Sequence, residues 1–472
     1  MNPEFEAPGK LRKLVSVTQR LLDRFIFILY CEDMGTQLNF PPHLLKRILM
    51  REANDDFYME DGNSAWSRIK RLFETMGAGG PFGQEQIHEF NGGLFARDDI
   101  IDNLQVPNSV FCRRNQGESS ARILQYPKTL LFFSAKYNFG VTDDGAGRTL
   151  TLTTMGRIFE QSITDLEVME ARASGRESLT EITKRKRNGV YYTPEWVTAY
   201  IVEQTIGLRL AEIREKLGIH KYEDLVITEG KDRRRTNYLK QLKTYSSKLD
   251  TLKVLDPACG SGAFLIQAFQ FLYQQRQWVS QEYERVTGTP RFFDGHDEMR
   301  KILGNNLYGV DINSESVEIT RLALWLHTAL PDRPLTTLDA NIRCGNSLVA
   351  PDVAEQLGFH EIELNDDDMA SVNPFDWRKT FPEVFAGDDG GFDCIIGNPP
   401  YVKLQNFRRI LEVQAEYLLN AQKEDGSPLY ESTQTGNFDL YLPFVERGVD
   451  LLNSQGKLGY IAPSVWLIND YG

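Results

Sequence analysis

Residues 254–264 read Val254-Leu255-Asp256-Pro257-Ala258-Cys259-Gly260-Ser261-Gly262-Ala263-Phe264. Two apolar residues followed by an acid and a proline have the look of a short buried strand and its end. The glycine-rich turn comes next, and the apolar run from Leu265 to Tyr273 has helical spacing. Strand, turn and helix in that order open a parallel α/β unit, and the two glycines let a ligand come close to the backbone. The same turn also serves plain strand-to-helix packing, and other versions of it bind dinucleotides. Here the third glycine of the dinucleotide fingerprint is missing and no Gly-Lys-Ser/Thr follows. Asp256 would repel a pyrophosphate and suits a ligand that carries an ammonium group.

Moving outward, strand signals alternate with helical ones: Lys253 to Leu255, Leu307 to Val310, Asn341 to Cys344, Cys394 to Ile396 and Leu458 to Ile461. Such alternation predicts a doubly wound, largely parallel Rossmann-like sheet with helices on both faces. Ligands of these sheets bind beyond the carboxyl ends of the strands, so the residues just after each strand carry the functional reading. The second strand ends in Tyr308-Gly309-Val310-Asp311-Ile312-Asn313, with Ser314 placed to cap the next helix. A carboxylate there, Asp311, can accept hydrogen bonds from both hydroxyls of a ribose; the plainer alternative is a turn acid. The third strand end, Cys344-Gly345-Asn346-Ser347, offers Asn346 to an adenine edge, although alone it is a good turn. The fourth is Ile395-Ile396-Gly397-Asn398-Pro399-Pro400-Tyr401-Val402. Two prolines in succession fix two φ angles, so the turn is stiff and presents a polar side chain beside a ring.

The first part of the chain differs. From Leu11 to Met34, and again at 43–52, 65–76 and 155–170, apolar residues recur at helical spacing, and strand signals are few before residue 190. A mainly helical domain is therefore expected over 1–183 and the α/β domain over 184–472. Charged, strand-poor stretches at 211–250 and 276–303 read as excursions from the α/β core.

The chain has 472 residues, 41% of them hydrophobic, enough for two or three domains. No apolar run approaches the ~18 residues of a membrane span, and the N-terminus lacks a signal region, so a cytoplasmic protein is expected. The opening Asn2-Pro3-Glu4-Phe5 resembles a cloning scar, and the chain reads as a fragment of a longer protein. The formal charge of −13, from 53 basic and 66 acidic residues, argues against a protein that coats nucleic acid with its whole surface. Local contacts remain open at the basic runs Lys184–Arg187 and Lys231–Arg235. Five scattered cysteines without C-x-x-C spacing predict free thiols rather than disulfides or a zinc site.

Taken together, DPACGSGAF, YGVDIN, CGNS and IIGNPPYV, on successive strands and in this order, resemble the class I S-adenosyl-L-methionine-dependent adenine-N6 DNA methyltransferases. The likeness covers roughly 184–472 and includes NGVYYTPEWVTAYIV at 188–202. The first 180 or so residues resemble the helical region of large type IIG restriction-modification and phage-exclusion methylases, through 23–35, 90–95 and 155–167. The resemblance implies that the turn at 398–401 is catalytic, with Asn398 and the Pro399 carbonyl accepting hydrogen bonds from the adenine amine. In that reading Pro400 stiffens the turn and Tyr401 stacks on a base flipped out of the duplex.

The resemblance further implies cofactor contacts at Tyr192, Thr193, Asp256, Ala258, Gly260, Gly262, Phe264, Asp311, Ile312 and Asn346, and a second aromatic wall at Tyr471. Double-stranded DNA is the implied partner, with other subunits of a defence system as further candidates. No metal and no membrane contact are expected, and a target-recognition domain is expected beyond Gly472. The one Glu-x-Lys pair, Glu229-Gly230-Lys231, lacks a strand and an upstream acid, so nuclease chemistry is not expected. Two other readings remain open: a methyltransferase acting on a glutamine amide, whose planar nitrogen poses a similar problem, and a non-catalytic module that binds DNA.

Overall fold

The computed structural model describes residues 8–35, 38–55, 57–90, 94–114, 126–139, 193–222, 233–289, 293–328, 337–358, 369, 372–408, 412–434 and 438–464. The expected boundary at 183/184, the basic run 184–187, the segment 155–167, the pair Glu229/Lys231, Tyr192 and Tyr471 lie outside the described residues. The chain divides into two compact units, 1–178 with 321–337, and 179–320 with 338–472.

The first unit is helical. Its long helix α1 (Pro8–Met34) is followed by α2 (Leu44–Ala53) and α3 (Ser64–Ala78). A small antiparallel hairpin pairs β1 (Gly80–Phe82) with β2 (Glu85–Ile87). Aromatic rings fill the centre: Trp66 stacks on Phe111 at 5.9 Å, and Phe27 meets Phe90 and Phe95 edge-on. The polar residues that interrupt the apolar face of α1 close backbone groups that would otherwise be orphaned in this interior. Arg24 donates to the carbonyls of Leu94 (2.9 Å) and Ala96 (2.7 Å). Glu32 accepts from the Leu45 N–H at the start of α2, a helix with no side-chain cap of its own. Asp33 accepts from the Phe139 N–H at 2.7 Å, and the Tyr30 hydroxyl donates to the Leu326 carbonyl at 2.8 Å.

The second unit is built on the strands β3 (Val254–Asp256), β4 (Leu307–Asp311), β5 (Ile342–Cys344), β6 (Phe392–Gly397) and β7 (Leu452–Tyr460), all parallel, in the order β5-β4-β3-β6-β7. This is the expected doubly wound α/β sheet. Its strand order reverses between β3 and β6, which leaves a crevice at their carboxyl ends. Val254, Leu255, Val310, Ile395 and Ile396 are all buried, as strands covered on both faces require.

The stretches that read as excursions contribute whole helices. Arg233–Thr251 buries Tyr238, Leu242, Tyr245 and Leu249, and Ala263–Thr287 runs unbroken for 25 residues. Their high charge belongs to the outward faces, which hid a period-3.6 apolar stripe. Arg276, 4% exposed, binds Asp250 (2.6 Å) and Glu298 (2.7 Å) and so ties three helical segments together. The helix Ser314–Thr328 is capped by Asn313 rather than by Ser314, since the Asn313 side-chain oxygen accepts from the Ser316 N–H at 3.1 Å. All five cysteines are free, and Cys344 alone is exposed. Among the described residues no helix is long and apolar enough to cross a membrane.

Candidate active site

The glycine-rich turn after β3 is shaped by two left-handed residues, Gly260 (φ +53°) and Gly262 (φ +84°). A Cβ on Gly262 would lie 3.0 Å from Thr320, whose hydroxyl donates to the Gly260 carbonyl at 2.8 Å. A Cβ on Gly260 would meet nothing within 4 Å, so that part of the turn faces open space.

Asp311 is oriented from both sides. Oδ2 accepts from the Gly260 N–H and Oδ1 from the Asn313 N–H, each at 2.9 Å. Each oxygen keeps a further lone pair for a hydroxyl donor. Burial pushes its carboxyl above the ordinary range, although the two backbone donors work the other way. Next to it Ile312 is 47% exposed, an apolar side chain left open at a strand end. These residues fit a ligand with paired hydroxyls and a flat ring.

Three residues sit differently from the expectation. Asp256 is 1% exposed, with Oδ1 accepting from the Ala258 N–H at 3.1 Å. Burial, joined by the nearby Asp311, pushes its carboxyl up to about 8. It also lies 2.8 Å from the position a Cβ on Gly397 would take, so the glycine before Asn398 is what allows β6 to pass this acid. Phe264 is 3% exposed and belongs to the packed interior. Asn346 spends its amide on the turn: Nδ2 donates to the Val372 carbonyl (3.2 Å) and Oδ1 accepts from the Leu348 N–H (3.1 Å). Its neighbour Ser347 donates to the Pro257 carbonyl at 2.5 Å, tying the end of β5 to the end of β3.

At the end of β6 the structure joins Asn398, Thr193 and Tyr401. Asn398 Nδ2 lies 3.0 Å from Thr193 Oγ1, while the Tyr401 hydroxyl reaches both Asn398 Oδ1 (2.5 Å) and the Ile461 carbonyl (2.7 Å). Thr193 is buried, and the helix Glu195–Val202 starts two residues later. The Pro399-Pro400 turn is pinned by a pairing that the sequence did not announce: Leu404 N–H donates to the Phe438 carbonyl and Leu440 N–H to the Val402 carbonyl, both at 2.9 Å. That pairing brings Tyr441 edge-on to Tyr401, with ring centroids 6.0 Å apart. Ile461 and Tyr441 were missed because the partners of a turn are fixed by tertiary pairing, which leaves no mark on local spacing.

The site thus joins a parallel sheet with a glycine-rich first turn, an acid after the second strand and Asn-Pro-Pro-Tyr after the fourth. Residues 305–472 match the Eco57I restriction-modification methylase model. A chain of Methanocaldococcus jannaschii, described as a conjectured type II restriction enzyme and methyltransferase, is 28% identical over 362 residues, 70% of this chain and 27% of that one. A type II restriction enzyme and methyltransferase of Escherichia coli is 30% identical over 237 residues, 47% of this chain and 20% of its own length. The chain thus spans about a quarter or less of these relatives. The type IIL restriction-modification enzyme MmeI, solved in complex with DNA, shares the fold with a TM-score of 0.54 at 17% identity, over 96% of this chain and 49% of that one.

Proposed function

We propose that the chain transfers a methyl group from S-adenosyl-L-methionine to the exocyclic N6 amine of adenine in double-stranded DNA, in the cytoplasm, within a restriction-modification or phage-defence system. The observation that carries this reading is the convergence of Thr193, Asn398 and Tyr401 at the end of β6, beside the crevice where the strand order reverses. Relatives named as adenine-specific methyltransferases, PglX of Streptomyces coelicolor and BrxX of Escherichia coli, support the choice of base and the defence setting.

Bound in this crevice, S-adenosyl-L-methionine would supply an electrophilic methyl group on a positively charged sulfur. Asp311 and the open side chain of Ile312 would hold its ribose and adenine, against the turn at Gly260 and Gly262. The adenine amine is a poor nucleophile because its lone pair is delocalised into the ring. Asn398 Oδ1 and the Pro399 carbonyl, fixed by two prolines, would accept its two hydrogens and favour the tetrahedral nitrogen. Tyr401, held upright by Ile461 and Tyr441, offers its ring to the extruded base.

The test is incorporation of labelled methyl groups into duplex DNA. Asn398→Ala is expected to slow it by about 10²- to 10³-fold, as for the loss of one preorganised partner of a reacting group. An undiminished rate, or labelling of protein in place of DNA, would overturn the proposal.

A further inference from the structure

The helix Arg233–Thr251 carries a face that the chemistry at the strand ends does not use. Its buried side is marked by Tyr238, Leu242, Tyr245 and Leu249. On the opposite side, at 100° per residue, stand Arg233, Lys240 and Lys243, with Lys248 on the flank, all exposed. Between Arg233 and Lys248 the other exposed positions are Arg234, Thr236, Asn237, Thr244 and Ser247. The one acid of the helix, Asp250, is paired with Arg276 at 2.6 Å. Among the described residues none of these four cations has a carboxylate within ion-pair distance.

A face that merely keeps a helix in water mixes charges of both signs. This one holds a single sign, in a chain whose formal charge is −13. Segregation of that kind is the electrostatic footprint of a polyanion. From Arg233 to Lys248 the face extends about 22 Å along the helix axis, enough to follow several phosphates at one charge per ~1.7 Å of duplex. The helix ends at Thr251 and β3 begins at Val254, so Lys248 sits toward the amino edge of the sheet, away from the strand ends that carry Asp311 and Asn398.

We infer that this face grips the phosphodiester backbone of duplex DNA, outside the catalytic crevice and without regard to base sequence. The inference rests on DNA being the substrate. The test is equilibrium binding of the whole chain to two duplexes of unrelated sequence across a salt series, for the wild type and for K240Q/K243Q/K248Q, with calorimetry of S-adenosyl-L-methionine as a check on folding. The substituted side chains are exposed, so cofactor affinity is expected to stay level. DNA affinity is expected to fall about tenfold or more at low salt on both duplexes, with the slope of log affinity on log salt shallower by about two to three. An unchanged slope and affinity would overturn this inference while leaving the proposed function standing. A loss confined to one sequence would overturn it as well, since it marks base readout. No DNA binding by the wild type at low salt would overturn both.

Discussion

Tyr401 has one phenolic proton and two carbonyl oxygens in reach, at Asn398 and Ile461. Turning the Asn398 amide over gives every partner a match: Nδ2 donates to Tyr401, Tyr401 donates to Ile461, and the Thr193 hydroxyl donates to Oδ1. In the proposed reaction Asn398 Oδ1 faces the substrate amine, and Thr193, whose hydroxyl can accept from Nδ2 or donate to Oδ1, would be a positioning residue that steadies the amide in either orientation. Thr193→Val is expected to lower kcat about tenfold, the scale of one hydrogen bond, with the Kd for S-adenosyl-L-methionine unchanged, and Thr193→Ser should restore the rate. A weakened Kd with normal kcat would instead make Thr193 a cofactor contact. For Asp311→Ala, titration calorimetry should show S-adenosyl-L-methionine bound about 10- to 100-fold more weakly, because two hydrogen bonds to a carboxylate are lost; equal affinity would refute the ribose role. At this scale the sequence was legible where a residue's place is set by its own strand end: Asp311 closes β4 and Asn398 follows β6, as their spacing predicts. It offered Thr193 only through the resemblance, as a cofactor contact, and was silent on Ile461; both reach Asn398 and Tyr401 from far along the chain.

The strands were legible because a sheet buried on both faces leaves short, unbroken apolar runs between turns. The strand β7 is the exception. Phe392 pairs with Leu452 but Cys394 with Lys457, so the polar residues of β7 between those pairs bulge out, and a sequence with that composition reads as a turn. Gly309 in β4 is also more than permissive backbone. A Cβ there would lie 2.8 Å from Leu265 Cδ1 and 3.2 Å from Cys259 Sγ, which makes it the point where the helix after the glycine-rich turn rests on the sheet. Gly309→Ala is expected to destabilise the fold by about 1–3 kcal/mol in denaturant unfolding, with part recovered in a Leu265→Val background, as overpacking predicts. Full additivity of the two substitutions would show that the contact is not the cause.

Two acids of the molecule, Glu32 in the helical unit and Asp256 in the sheet, have carboxyls pushed up to about 8, chiefly by burial. Folded, they keep their protons near neutrality; unfolded, they lose them near pH 4. The stability they contribute is thus fully present below about pH 4 and is lost as pH rises through 8. Thermal unfolding from pH 5 to 9 should show a falling Tm, flattened in part by Glu32→Gln and by Asp256→Asn; a slope that neither variant alters would refute the assignment. Composition indicated a helical part and an α/β part. It gave no sign that residues 321–337, which follow β4, belong to the helical unit, because membership of a unit is decided by packing partners.

The position of β3 has a consequence for how the chain is made. Val254 pairs with Leu307 on one side and with Cys394 on the other. On the ribosome, β3 therefore gains one neighbour early and waits for the second until nearly the whole sheet has been translated. Through that interval an apolar strand offers an unpaired edge, the kind of surface chaperones cover and aggregates recruit. Chains halted just before Phe392 are expected to be insoluble, and release of the segment through Tyr460 should be the event that makes nascent chains resistant to protease.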